Sequence, residues 1–192
     1  LSIFINLWVN LMKIALITGS SGLVGSESVE FYIKKKFMVI GIDNDFRKFF
    51  FGKSASTKWV KSFLEKKYNK NYIHFNSDIS KINDIEKIFR KYKHNIKVII
   101  HSAAQPSHDW AASNPELDFN VNAIGTLNML NLTKKYLQKK TPFIYMSTNK
   151  VYGDNPNKLK IIKNKTRFEL AKNNNYPNGI NEAMSIDNCV HS

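Results

Sequence analysis

Short apolar runs alternate along the chain with segments in which apolar residues recur every three or four positions. The runs are KIALIT at 13–18, FMVIGI at 37–42, YIHF at 72–75, KVIIH at 97–101 and FIYM at 143–146. Helical spacing is found in 26–35, 82–92 and 118–136. Continuous apolar strands separated by amphipathic helices are typical of a parallel sheet covered on both faces. The pattern therefore predicts an α/β fold with a doubly wound parallel sheet, truncated in this chain after the fifth strand.

The segment 153–188 lacks either periodicity. It contains Pro156, Pro177, Gly179 and many asparagines. We expect a loop there, with one helical turn near 167–171.

The two ends of the chain also carry an expectation. Met12 directly precedes the first strand, whereas the apolar stretch 1–11 has no basic region or cleavage site of a signal peptide. That stretch is also shorter than the roughly 20 residues that span a bilayer. We expect 1–11 to be a non-native leader and 12–192 to be one incomplete domain.

Composition narrows the class of protein. Apolar residues make up 43%, which fits a folded domain and not a disordered chain. The single cysteine, Cys189, allows no intrachain disulfide and suits a cytoplasmic location. No His, Cys and carboxylate cluster has the spacing of a metal site, so no metal is expected.

The net charge is +14, from 29 Lys+Arg and 15 Asp+Glu. A large positive charge raises the possibility of nucleic-acid binding. However, the lysines are spread over most of the predicted elements, as on a solvated surface. We therefore expect neither a nucleic-acid partner nor a membrane partner.

A glycine-rich stretch, TGSSGLVG at 18–25, joins the first strand to the first helix. Gly19, Gly22 and Gly25 allow a tight turn, close approach of the backbone to a pyrophosphate and close packing of helix on strand. The N-terminus of the helix supplies unpaired N–H donors. This arrangement is that of the dinucleotide-binding Rossmann fold; a plain tight turn is the alternative.

An acidic residue ends the second predicted strand. Asp43 follows Gly25 by 18 residues, near the spacing at which such an acid binds the adenosine ribose. Its carboxylate accepts both ribose hydroxyls and repels a 2′-phosphate, which favours NAD over NADP. Arg47 is the nearby residue that could reverse this preference.

Two further strand ends leave alternatives open. Asp78 and Ile79 follow the third strand, where Asp78 could lie beside an adenine or cap the helix that starts near Ser80. His101 ends the fourth strand and is interpreted as a packed histidine rather than a ligand. The small residues after it leave room for a cofactor across the strand ends.

Several stretches together resemble one enzyme family. TGSSGLVG at 18–25, GIDND at 41–45, HSAAQPSHDWA at 101–111, NVNAIGTLNML at 120–130 and STNKVYGD at 147–154 resemble the NAD-dependent epimerase/dehydratase family, the extended short-chain dehydrogenases/reductases. The similarity runs from Met12 to the end of the chain. The stretches QPSHDW, TNKVYGD and FFGKSASTKW (50–59) resemble the branch that inverts C2 of a CDP-3,6-dideoxyhexose.

The resemblance assigns roles to individual residues. The pyrophosphate of NAD would be bound by Gly19, Ser21, Gly22, Leu23, Val24 and Gly25. The ribose would be bound by Asp43 and Asn44, and the adenine would be flanked by Asp78 and Ile79. The nicotinamide side would be lined by Ala103, Ala104 and Gln105, and Asn122 would fix the helix that follows. Thr148 would be catalytic, through a hydrogen bond to the sugar hydroxyl being oxidised. Ser107, His108, Asn149 and Lys150 would face a nucleotide-sugar substrate, and the full-length protein would be a homo-oligomer.

The resemblance also implies a catalytic Tyr and a Lys four residues later, on a helix beyond residue 192. The matches Tyr32/Lys36 and Tyr136/Lys140 precede the fifth strand and are interpreted as chance. We therefore expect this chain alone to be inactive. Another nucleotide-sugar epimerase or dehydratase of the same fold, or a non-catalytic dinucleotide-binding module, remains the alternative.

Overall fold

The computed structural model describes residues 12–186, so the predicted leader 1–11 and Cys189 lie outside the described residues. The chain divides into two compact units, one ending at Met146 and the other starting at Ser147.

The first unit contains five parallel strands and the helices between them. The strands are β1 Ile14–Thr18, β2 Met38–Ile42, β3 Tyr72–Phe75, β4 Ile96–His101 and β5 Phe143–Tyr145. The helices are α1 Leu23–Lys34, α2 Phe46–Phe51, α3 Lys58–Lys67, α4 Ile82–Tyr92, α5 His108–Ser113, α6 Pro115–Phe119 and α7 Gly125–Tyr136. The strand order is β3-β2-β1-β4-β5, which confirms the doubly wound parallel sheet.

Alternate residues of the central strands face opposite layers of helices. Leu16 of β1 packs with Ile85 of α4 and Met129 of α7 on one face, and Ile17 packs with Val29 of α1 on the other. β1 is buried at every position because helices cover both faces. Each large aliphatic side chain buried in this way contributes about 1.5–3 kcal/mol to stability.

The predicted helix 118–136 is interrupted in the structure. A π-helical turn, Asn120–Ile124, lies between α6 and α7. Such turns displace the helix by one residue and are frequent at functional sites. The helix 46–51 and the helix 58–67 were not assigned from the sequence, because residues 46–67 show neither period clearly.

The second unit consists of short elements. Two 3₁₀ turns, Asn149–Tyr152 and Asn155–Lys158, precede the antiparallel pair β6 Ile161–Lys163 and β7 Phe168–Leu170. The expected helical turn near 167–171 is therefore wrong. Ile161 pairs with Leu170 and Lys163 with Phe168, and this pairing of two strands separated by a short loop extends the backbone there.

Candidate functional site

A cleft of about 250 Å³ opens at the carboxyl ends of β1, β2 and β4. β2 and β4 flank β1 on opposite sides, so the cleft lies where the direction of sheet winding reverses, the usual ligand position in this fold. The cleft brings together eleven residues that the sequence predicts to bind the cofactor: Gly19, Gly22, Leu23, Val24, Gly25, Asp43, Asn44, Asp78, Ile79, Ala103 and Ala104.

Two glycines of this turn leave no room for a side chain at their own positions. Gly19 has φ +67°, and a Cβ there would lie 2.8 Å from the backbone nitrogen of Ala103. A Cβ on Gly25 would lie 1.9 Å from the carbonyl oxygen of Gly19. The first helix starts directly at Leu23, so the N–H groups of its first turn have no partner within the helix. This bare, amide-lined turn fits the pyrophosphate of a dinucleotide.

Asp43 is held in place by backbone amides. Its Oδ2 accepts the N–H of Ser21 at 3.0 Å, and its Oδ1 accepts the N–H of Asp45 at 2.8 Å. A carboxylate has about four acceptor positions, so capacity for ligand hydroxyls remains. Ser21 itself is buried outside the cleft lining. Within residues 12–186 its hydroxyl oxygen is a buried side-chain atom without a hydrogen-bond partner.

His101 lies beneath the cleft, buried as the sequence predicts. The Thr126 hydroxyl donates to the carbonyl of Asn122 at 2.6 Å, so it accepts the Nε2–H of His101 at 3.0 Å. A neutral imidazole carries one proton, and Nδ1 therefore accepts the hydroxyl of Thr18 at 2.7 Å. Thr18 in turn accepts the N–H of Ala103 at 3.2 Å. Burial lowers the pKa of His101 to about 4, which keeps the ring neutral.

Gln105 and Asn122 support the loop after β4 rather than line the cleft. The side-chain oxygen of Asn122 accepts the N–H of Gln105 at 2.9 Å, and its NH₂ donates to the Gln105 carbonyl at 3.0 Å. Gln105 is 5% exposed, and its NH₂ donates to Asp118 at 2.8 Å and to the carbonyl of Ser107. The π-helical turn thus places Asn122 where it fixes the backbone next to Ala104.

Asp78 lines the cleft and stabilises the turn before α4 without capping that helix, and its place beside an adenine stays a prediction. Its Oδ1 accepts the N–H and the hydroxyl of Ser80, at 2.9 and 2.8 Å, while the residue also lines the cleft. The Asp78 carboxylate stabilises the turn that leads into α4, which begins at Ile82, four residues after Asp78. Ile79 packs closely against Gly125 at the start of α7, where a Cβ would lie 2.6 Å from its Cδ1.

One wall of the cleft, apart from Arg47, was missed from the sequence. Phe46, Arg47 and Phe50 of α2 line it. Trp110 of α5 holds this helix, because its indole N–H donates to the carbonyl of Phe50 at 2.7 Å and its ring packs against Phe49. Four phenylalanines among the six residues 46–51, shortly after the strand-end acid, were the available signal.

Arg47 lines the cleft and also contacts Phe51 of its own helix. Its guanidinium lies 5.0 Å above the ring of Phe51, and the residue lines the cleft. A stacked guanidinium of this kind contributes about 0.5–1 kcal/mol at an exposed site. The arginine therefore already has a partner within its own helix.

The remaining predicted residues lie elsewhere in the chain. Ser107 caps α5 by accepting the N–H of Trp110 at 3.3 Å, and the exposed His108 starts that helix. Thr148 and the turn containing Asn149 and Lys150 belong to the second unit.

Tyr136, of the Tyr-x-x-x-Lys match in α7, has a structural role. Its hydroxyl donates to Glu86 at 2.5 Å and accepts from Arg90 at 3.1 Å, which ties α7 to α4. Hydrogen bonds from Lys135 and from Tyr136 lower the pKa of Glu86 to about 2. The tyrosine lies in the helix-to-helix contact, as expected for a chance match.

Two other features bear on the class of protein. Across residues 12–186, His, Cys, Asp and Glu side chains form no group of three that could hold a metal ion. None of the helices in that range combines the length and apolar character needed to cross a bilayer.

A family model described as GDP-mannose 4,6 dehydratase matches residues 16–176. CDP-paratose 2-epimerase of Salmonella typhi is 33% identical over 172 residues, which cover 90% of this chain and 46% of that protein.

Solved structures agree in fold. UDP-glucose 4-epimerase of Thermotoga maritima, solved with UDP-glucose, is 29% identical with a TM-score of 0.56, over 74% of this chain and 40% of that one. The UDP-glucose 4-epimerase of Thermus thermophilus, a complex with NAD, is 28% identical with a TM-score of 0.50, over 64% and 34%. This chain spans less than half the length of each of these proteins. The chain belongs to the NAD-dependent epimerase/dehydratase family of sugar-nucleotide enzymes.

Proposed function

We propose that this chain is the NAD-binding part of a nucleotide-sugar epimerase that inverts C2 of a CDP-3,6-dideoxyhexose, converting CDP-paratose to CDP-tyvelose. The observation that carries the proposal is the cleft in which the turn with Gly19, Gly22 and Gly25 lies beside Asp43. The similarity to CDP-paratose 2-epimerase over 90% of the chain supports the choice of substrate.

Each part of the cleft has a task in binding NAD. The amides at the start of α1 hold the pyrophosphate, assisted by the positive end of the helix dipole. Asp43 and Asn44 bind the adenosine ribose, and Asp78 and Ile79 flank the adenine. Ala103 and Ala104 leave space on the nicotinamide side because their side chains are small.

The same residues favour NAD over NADP. Asp43 is fixed by the amides of Ser21 and Asp45, so its negative charge stays where the ribose would lie. A 2′-phosphate would bring further negative charge next to that carboxylate. The stacking of Arg47 on Phe51 supports the same preference, since compensation would require the arginine to leave its partner.

For the reaction, we assign orientation of the sugar hydroxyl to this chain, and not acceptance of its proton. When bound, NAD supplies the hydride acceptor and donor at C2 of the sugar. Thr148 hydrogen-bonds the C2 hydroxyl and aligns it for loss of its proton. Ser107, His108, Asn149 and Lys150 hold the nucleotide-sugar.

A second candidate is a nucleotide-sugar 4,6-dehydratase. The description of the matching family model, GDP-mannose 4,6 dehydratase, favours it. The NAD cleft would serve both reactions equally. The two differ in which sugar carbon is held next to the nicotinamide.

Two measurements test the proposal. In the first, NAD and NADP are titrated calorimetrically into the chain, with Asp43→Ala as the test variant and the exposed Asp84→Asn in α4 as the matched control. We expect NAD to bind more tightly than NADP, Asp43→Ala to narrow the difference and Asp84→Asn to leave it unchanged. Absence of NAD binding would refute the proposal.

In the second measurement, the protein expressed from the complete coding region is incubated with CDP-paratose and NAD, and the sugar is followed by NMR. Inversion at C2 is the expected result. Formation of a 4-keto-6-deoxy sugar from a hexose nucleotide would favour the dehydratase. NAD binding without turnover of either substrate would indicate a non-catalytic module.

A further inference from the structure

A buried tyrosine lies directly beneath the glycine turn. Tyr72 of β3 is 4% exposed, and its hydroxyl donates to the hydroxyl oxygen of Ser20 at 3.0 Å. Ser20 is fully buried and is the second residue of the turn. The bond therefore connects the strand at the sheet edge, 52 residues along the chain, with the backbone that lines the cleft.

A glycine in the intervening strand makes this contact possible. Gly41 of β2 lies between the two side chains, and a Cβ there would lie 2.4 Å from the Tyr72 hydroxyl and 2.5 Å from the Ser20 hydroxyl. Glycine weakens a strand interior and often marks a close approach of other atoms. Here the missing side chain provides the space in which the two hydroxyls meet.

Ser20 occupies the centre of the cofactor turn. The amides of Gly19 and Ser20 both donate to the carbonyl of Ile42, at 2.8 and 3.3 Å, and the next amide, of Ser21, donates to Asp43. The Tyr72 hydroxyl is the side-chain contact that holds this segment from below. A shift of Ser20 would move the neighbouring backbone of Gly19 and Ser21. It would therefore disturb the hydrogen bond from Ser21 to Asp43, the acid that the ribose would contact.

We propose that Tyr72 is a positioning residue for the dinucleotide: through Ser20, in the space left by Gly41, it fixes the glycine turn in its binding conformation. This inference rests on the proposed NAD site. It adds to that site a residue that lies outside the lining of the cleft and touches no part of the cofactor.

The chemistry of the phenol suits a permanent donor and not a proton-transfer group. Burial raises the pKa of Tyr72 to about 12, so the hydroxyl keeps its proton at neutral pH. The hydroxyl also lies 3.3 Å from Nδ1 of His74, the residue paired with Gly41 in the sheet. Both contacts lie on the face of the sheet that α1 covers, where Tyr72 packs in the same cluster as Val29.

The test compares four variants of the 192-residue chain by calorimetric titration with NAD and by thermal unfolding. They are Tyr72→Phe, Ser20→Ala, the double variant, and Tyr92→Phe as control. Tyr92 is also buried, but it belongs to the cluster on the opposite face of the sheet. Loss of the phenol leaves a buried hydroxyl unsatisfied, and we expect NAD to bind about tenfold more weakly to Tyr72→Phe.

The double variant tests whether Tyr72 and Ser20 act through the same hydrogen bond. Removal of both partners leaves neither hydroxyl of the Tyr72–Ser20 bond without its partner, so the Kd of the double variant for NAD should be no weaker than that of either single variant. Tyr92→Phe should keep the wild-type Kd. If Tyr72→Phe does not fold, Ser20→Ala carries the same comparison, because it breaks the same bond and keeps the tyrosine.

Two results would overturn the inference in different ways. If Tyr72→Phe and Ser20→Ala both lower the unfolding temperature but bind NAD with the wild-type Kd, the bond serves stability alone. In that case the proposed NAD site would stand. Failure of the wild-type chain to bind NAD would refute the proposed function, and this inference with it.

Discussion

Protonation of His101 should destabilise this protein between pH 6.5 and 4. The ring is 1% exposed, and burial lowers its pKa from the ordinary 6.5 to about 4. In the folded state Nδ1 accepts the hydroxyl of Thr18, and Nε2 donates to Thr126. A second ring proton would take away the acceptor on which Thr18 depends, and a buried hydroxyl that loses its partner costs free energy.

The sign and size of this effect on the free energy of unfolding follow from the difference in proton uptake between the folded and the unfolded chain. The unfolded chain takes up the proton at about pH 6.5, whereas the folded chain takes it up only near pH 4. The contribution of the neutral His101 to the free energy of unfolding is therefore complete above pH 6.5, and it is lost as the pH falls from 6.5 to 4. At about 1.4 kcal/mol per pH unit, the loss reaches about 3 kcal/mol. That is a large part of the roughly 5–15 kcal/mol of a typical domain.

The assay is urea unfolding at several pH values between 7 and 4.5, on the wild type and on His101→Gln. The pKa of His74 is also lowered by burial, and its titration affects both proteins equally. The difference in unfolding free energy between the two proteins therefore isolates His101. We expect the wild type to lose about 2–3 kcal/mol more than the variant over this range. A difference independent of pH would refute the neutral, buried assignment.

The remaining predictions concern the cleft and the surface. Gly25→Ala should abolish measurable NAD binding in calorimetry, because its Cβ would lie 1.9 Å from the Gly19 carbonyl oxygen; unchanged affinity would contradict the tight turn. Asp43→Ala should narrow the preference for NAD in parallel titrations with NADP; a wild type that binds both equally would argue against the role of the carboxylate. The chain should bind duplex DNA more weakly than about micromolar at physiological salt, since its charges are dispersed; tight binding with a steep salt slope would show otherwise.

The local sequence pattern was sufficient to predict the sheet and, within the site, the glycine turn and Asp43. The apolar runs and the helical spacing are short-range properties, so β1 to β5 and the order of elements follow from them. The glycine turn and Asp43 lie next to strand ends, and every parallel strand end points to the same edge of the sheet. Their meeting in one cleft is a consequence of topology that the sequence already implies.

Regions without a clear period were decided by packing. α2 forms where Trp110 holds its carbonyl and where Asp45 accepts the hydroxyl of Ser56 and the N–H of Thr57, at 2.8 and 2.7 Å. β7 forms because β6 pairs with it, although its sequence fits a helical turn equally well. Trp110 lies 60 residues along the chain from Phe50, and the residues of β6 lie five to nine positions before their partners in β7, so local periodicity reveals neither contact.

The sequence by itself determined the doubly wound sheet, the glycine turn and the place of Asp43 at the end of β2, because each depends on neighbours within a few residues. Only the tertiary structure decided which polar groups support that turn. Ser20, Gly41 and Tyr72 are far apart in the chain, and their contact depends on strand register and on the missing Cβ between them. The same holds for the tautomer of His101: the sequence predicts a packed histidine, but its hydrogen-bond partners Thr18 and Thr126 are brought to it only by the fold.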